Sequence, residues 1–161
     1  MLGPLTNPAG VQRQLVGTFN QQAAEKIAGV FHQLKPVHVC VVSSEDGLDE
    51  ISLDAQTDMW QVKRGNELSF TKLEAGSFGL PSINKSQLHG GNADTNAIIT
   101  MNILNGLRGH HRDVVVINAA MGLVVAGKVA TPQDGLKLAE ESIDSRKALE
   151  KLNALITFTN R

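Results

Sequence analysis

The run QRQLVGTFNQQAAEKIAGVFHQLKPVHVCVVSS, residues 12–44, decides the fold. Gln21 to Leu34 places Ala24, Ile27, Ala28, Phe31 and Leu34 at helical spacing, so an amphipathic helix is predicted there. Lys35 and Pro36 end it, and the β-branched run His38 to Val42, bounded by Pro36 and by Ser43 and Ser44, reads as a buried strand. Upstream, Gln12 to Phe19 contains Leu15, Val16 and Thr18 and is expected to be a short strand. Strand, helix and strand within about thirty residues form a crossover unit with a parallel pair. The expectation is α/β, with a central mixed, mostly parallel sheet flanked by helices.

Outward from this unit, the opening MLGPLTNPAG reads as a tight loop, because Pro4 and Pro8 each fix a backbone angle while Asn7 and Gly10 favour turns. Downstream, Met59 to Lys63 and Glu67 to Thr71 around Gly65 and Asn66 read as a β-hairpin insertion. Asn92 caps a predicted helix to Leu107 with Ala93, Ala97, Ile98, Met101 and Leu104 on one face. The segment RDVVVINAAMGLVVAGKVA is ambiguous: its valines favour strand, whereas Ala119, Ala120 and Met121 favour helix. Thr131 and Pro132 open a helix over Gln133 to Ser142. A last helix from Ser145 through Leu155 carries Leu149, Leu152 and Leu155 as its stripe, giving a helical C-terminal half. No repeat or linker divides the chain, so residues 1–161 are expected to form a single α/β domain.

Composition narrows the function. The 161 residues are 42% apolar, and 15 Lys plus Arg stand against 16 Asp plus Glu, a balance that argues against general nucleic-acid or anionic-lipid binding. The longest apolar run, Val114 to Gly127, is broken by Asn118 and falls short of the roughly 20 residues that span a bilayer. No secretory signal is visible, and the lone Cys40 suits a reducing compartment as buried strand filler. The expectation is a soluble, cytoplasmic protein with neither a nucleic-acid nor a membrane partner.

The strongest chemical signal is EDGLDE, Glu45 to Glu50, a loop at the carboxyl end of the His38 strand, where open sheets collect ligands. Four carboxylates in six residues repel one another unless a cation offsets them, and oxygen ligands suit Mg²⁺. Asp49 and Glu50, just before Ile51 and Ser52, are the candidate metal ligands; a solvated acidic turn is the alternative. HGGNADTN presents amides at a helix start, where anions bind, but without a preceding strand it is neither a dinucleotide fingerprint nor a phosphate loop and reads as a plain helix start. His110 and His111, between Arg108 and Arg112, fit no zinc spacing and read as an exposed basic turn. Nothing nominates a covalent nucleophile, so no catalytic residue is assigned.

The segments LGPLTNPA, DGLDEIS, FGL, GGNADTNA, RDVVVINAA and IDSRKALEKL occur in the order and approximate spacing of the anthranilate phosphoribosyltransferases, and the resemblance covers essentially the whole chain. Nucleoside phosphorylases of the thymidine and pyrimidine type share that fold. The resemblance implies phosphoribosyl transfer from phosphoribosyl diphosphate (PRPP) to anthranilate, with release of pyrophosphate and with Mg²⁺ as cofactor, in tryptophan biosynthesis. It implies homodimers in the full-length enzymes, an acidic metal-binding pair at Asp49 and Glu50, and a helix in the ambiguous valine-rich segment. The family's glycine-rich phosphate segment, its Lys-His-Gly stretch and its anthranilate-binding arginine all precede LGPLTNPA, and none occurs here. The chain is therefore expected to match the C-terminal α/β portion, to lack the main substrate contacts and to be inactive alone. A non-catalytic binding or assembly module, partnering a separately encoded helical half, is the alternative; a nucleic-acid-binding relative is disfavoured by charge. Two departures stand out: Asn92 where relatives often carry aspartate, and Arg146 where they usually carry glycine.

Overall fold

The computed structural model describes residues 3–160. Four strands, β1 (Arg13–Gly17), β2 (His38–Ser44), β3 (Thr57–Lys63) and β4 (Ser69–Leu73), lie side by side in chain order. Helix α1 (Gln21–Leu34) connects β1 to β2, which pair in parallel with Val16 opposite Val41. Asn20 starts α1 by accepting a hydrogen bond from Ala23 N, and Lys35 ends it in the left-handed region.

The sheet is mixed, but two of its three pairings, β2 with β3 and β3 with β4, are antiparallel. The expectation of mostly parallel pairing is corrected on that point, because the hairpin joins the sheet as its last two strands. Its second strand also begins two residues later than the turn residues suggest: Gln61 pairs with Ser69, and Leu68 packs inward before pairing starts. Trp60 stacks obliquely on its cross-strand partner Phe70, with ring centroids 4.9 Å apart.

Strand alternation gives each sheet face its own core. Val39, Val41, Trp60 and Val62 point towards α1, against Ala24, Ile27, Ala28 and Phe31. Cys40, Val42 and Met59 point the other way, against Ile117, Met121 and Val125. Those three belong to α3 (His110–Ala126), so the valine-rich segment is a helix, as the resemblance implies. Cys40 is fully buried and burial pushes its thiol pKa up, which suits strand filler.

Three further helices complete the C-terminal half: α2 (Ala93–Leu104), α4 (Pro132–Asp144) and α5 (Lys147–Thr159). Asn92 and Thr131 cap α2 and α4 by accepting from Thr95 N and Asp134 N. The face of α2 carrying Ile98 and Met101 is not the packed one: Ile98 is 62% exposed and Met101 also faces solvent, while Ile99 and Ile103 make the contacts with α3 and α4. A helix with apolar residues around most of its circumference offers no single stripe from which to read its packed side. Along α5, Leu149 and Leu152 are half-buried, whereas Leu155 is exposed. Among the described residues, no helix is long and apolar enough to cross a membrane.

Candidate functional site

The acidic loop leaves β2 at Ser44, and the structure divides its four carboxylates into two pairs. Glu45 is held by Lys72 Nζ of β4 at 3.0 Å, and the same ammonium lies 3.3 Å from the buried Asp58 of β3. Asp46 accepts from Ser52 Oγ at 2.7 Å and from Leu48 N at 3.1 Å. Ser52 Oγ in turn accepts from Asp54 N and Ala55 N, so the loop is closed on itself. Although burial opposes ionisation of Asp46, the hydrogen bonds from Ser52, Leu48 and Ser44 prevail and lower its pKa.

Asp49 and Glu50 have no such compensation. Among the described residues, neither carboxylate takes part in an ion pair or a side-chain hydrogen bond. Both are exposed and line a cleft of about 390 Å³ with Leu88, Asn96, Thr100 and His111, between the loop, α2 and α3. Asp49 also borders a second cleft, of about 290 Å³, with Gly17, Thr18 and Phe19 at the end of β1. Glu50 is exposed as a residue, yet the protein around its carboxyl, followed by the neighbouring Asp49 charge, raises its pKa.

The backbone beneath this pair is fixed on both sides. At the end of β1 a Cβ on Gly17 would lie 1.6 Å from the Asp49 carbonyl oxygen, so only glycine admits the loop at that distance. On the other side, Asn118 of α3 accepts from Ile51 N at 2.9 Å and donates to Ile51 O at 3.1 Å. Neither contact is visible from the acidic motif itself. An asparagine interrupting an apolar helix is the one signal that points to it, because a polar side chain there needs partners.

The donor set favours a hard cation. Among the described residues no three His, Cys, Asp or Glu side chains gather to hold a metal by themselves. Two adjacent carboxylates without other partners fit Mg²⁺, which keeps several waters and takes further oxygens from a phosphorylated ligand. The other sequence candidates have their own local partners, although Asn96 and His111 also line the cleft. Asn92 caps α2 by accepting from Thr95 N, and Asn96 Oδ1 accepts from Gly91 N just before the helix, so HGGNADTN folds as a capped helix start. The basic turn is not wholly exposed: Arg112 is 2% exposed and donates to Asp144 at 2.8 Å, while Arg108 stays in solvent at 3.7 Å from the same carboxylate. His111 alone of that turn reaches the acidic cleft.

A sheet covered by helices on both faces is an α/β architecture, and the uncompensated acidic pair lies beyond the carboxyl end of a strand, the edge where open α/β sheets collect ligands. The profile of the glycosyl transferase family, a/b domain, matches residues 1–149, and the chain belongs to that family. It is 44% identical over 160 residues to an anthranilate phosphoribosyltransferase of Geobacter sulfurreducens, covering 99% of this chain and 45% of the relative. It is 43% identical over 162 residues to that of Thermomicrobium roseum, covering 99% and 47%. Among solved structures, the anthranilate phosphoribosyltransferase of Thermus thermophilus superposes with a TM-score of 0.88 at 30% identity, over 99% of this chain and 47% of that one. The Saccharomyces cerevisiae enzyme in complex with PRPP and Mg gives 0.82 at 26%, over 94% and 44%. The chain thus spans less than half the length of these relatives.

Proposed function

We propose that this chain is one α/β domain carrying the metal-binding side of a phosphoribosyltransferase site. The complete activity is transfer of a phosphoribosyl group from PRPP to anthranilate, giving N-(5-phosphoribosyl)anthranilate and pyrophosphate. The observation that carries this reading is the unpaired Asp49 and Glu50 on the cleft wall, in a chain with the relatives reported above. Their role is to hold Mg²⁺ against the diphosphate. Bound there, the cation would stabilise the negative charge that develops on the leaving pyrophosphate. Asp46, Ser52 and Lys72 do not compete for that role, because they satisfy one another and Glu45.

Attack by a neutral aromatic amine depends mainly on positioning. The main PRPP and anthranilate contacts are assigned to the part of the relatives that this chain does not span, so the chain alone should turn over anthranilate poorly. The reading includes a cytoplasmic setting and a homodimer for the full-length enzyme. A second reading, a non-catalytic assembly module, draws on the exposed apolar residues Ile98 of α2 and Phe158 of α5, the latter 70% exposed.

Depletion of anthranilate fluorescence with PRPP and Mg²⁺, with and without the N-terminal half of a related enzyme, tests the proposal. Activity only on complementation, lost in Asp49→Ala and Glu50→Ala variants that still melt near the parent, is the expected result. No activity from a folded mixture that does form a complex would favour the assembly module. A collapse of the fold in either variant would make the pair structural.

A further inference from the structure

Asn118 interrupts the apolar run of α3, and its amide is almost fully used. Oδ1 accepts from Ile51 N at 2.9 Å, while Nδ2 donates to Ile51 O at 3.1 Å and to Val114 O at 3.0 Å. The orientation is forced, since a flipped amide would set NH₂ against N–H and oxygen against two carbonyls. The paired contacts to Ile51 imitate a strand ladder for a residue that belongs to no strand. The Ile51 side chain is fully buried in the core on the α3 face of the sheet, so the residue after Glu50 is locked by both backbone and side chain. On the far side, Gly17 lets the Asp49 carbonyl pack against β1.

We infer that Asn118 is a positioning residue for Asp49 and Glu50: it fixes the backbone of Ile51 so that the two carboxylates, which have no partners of their own, stay on the cleft wall. The inference rests on the reading of this pair as cation ligands. An apolar residue of similar volume would need no partners of its own but would leave the N–H and C=O of buried Ile51 unpaired. The amide therefore serves stability as well, and the test must read metal affinity apart from folding. What the amide supplies is a fixed distance between α3 and the loop. Residues that orient metal ligands typically change affinity 10–100-fold when removed.

The test is Mn²⁺ binding by the 161-residue chain, followed by water proton relaxation in the parent, Asp49→Ala, Asn118→Ala and Asn118→Leu. Leucine keeps the volume and deletes the hydrogen bonds, separating the clamp from a cavity. Both Asn118 variants, folded by circular dichroism, are expected to bind Mn²⁺ about tenfold more weakly, and Asp49→Ala at least as weakly. Loss in Asp49→Ala with parent affinity in both Asn118 variants overturns the inference and leaves the metal site standing. Loss in the alanine variant alone also overturns it, since the cavity would then be the cause. If the parent binds no better than Asp49→Ala, the cation reading itself fails. Amide exchange at Glu50 and Ile51 then decides the clamp: about tenfold faster exchange in both variants supports it, and parent rates overturn it.

Discussion

Replacing Gly17 by alanine tests the tightest contact beneath the acidic pair. The new Cβ would lie 1.6 Å from the Asp49 carbonyl oxygen, 2.6 Å from its carbonyl carbon and 3.2 Å from its Cβ. The nearest atoms are backbone, so no rotamer change relieves the overlap, and β1 and the loop must separate by about 1.4 Å to reach even 3.0 Å. Separation is resisted on both sides. Thr18 N donates to Val42 O at 2.9 Å next to Gly17, and Ile51 is held by Asn118. Overpacking of this kind costs about 3 kcal/mol, the upper part of the usual range. For a chain of this size that lowers Tm by about 6–12 °C. A paired control is Gly29→Ala in α1, where an added Cβ meets nothing within 4 Å and should stabilise by about 0.5–1 kcal/mol. Thermal unfolding of both variants is the assay, with Mn²⁺ affinity as the second readout, expected to fall only in Gly17→Ala. A Gly17→Ala protein that melts within about 2 °C of the parent and binds the ion equally would refute the argument that the loop is rigidly seated on β1.

Two other expectations concern regions outside the acidic loop. Arg146 opens α5 at φ 67°, in the left-handed region that side chains resist, so Arg146→Gly should raise stability by about 1 kcal/mol and Tm by about 2–4 °C, measured by thermal melts. Acid should weaken the fold in two windows. His38 has its pKa lowered by burial and then by the Lys63 and Arg13 charges, so its contribution is full above about pH 6.5 and is lost as pH falls towards the lower folded value. Asp144 is lowered chiefly by the hydrogen bond from Arg112, so its contribution is full above about pH 4 and is lost as pH falls towards its folded value. Melting curves recorded from neutral to acid should lose the upper window in His38→Gln and show a smaller lower one, which Asp46 shares, in Asp144→Asn; an unchanged pH profile in either variant contradicts the assignment.

Local periodicity determined α1, β2 and the parallel partnership of β1, because a helix with one apolar stripe and a β-branched strand each fit one environment. It determined the caps Asn92 and Thr131 for the same reason, since the side chain and the amide it accepts from are three residues apart. The acidic loop and its place beyond β2 were legible too. Choosing α3 over a strand took the whole set of motifs, as a valine-rich run buried on one side satisfies either pattern. The exposed side of α2 was not legible, because apolar residues occupy most of its circumference and only its neighbours select Ile99 and Ile103. Tertiary structure alone decided which carboxylates are compensated: Lys72 reaches Glu45 from 27 residues away, and Ser52 closes Asp46 through a turn. It also brought Asn118 to Ile51 across 67 residues and set Gly17 beneath Asp49. Charge and hydrogen bonding act over a few ångströms of space, not along the chain, so the sequence by itself placed four carboxylates in one loop and the fold left two of them free.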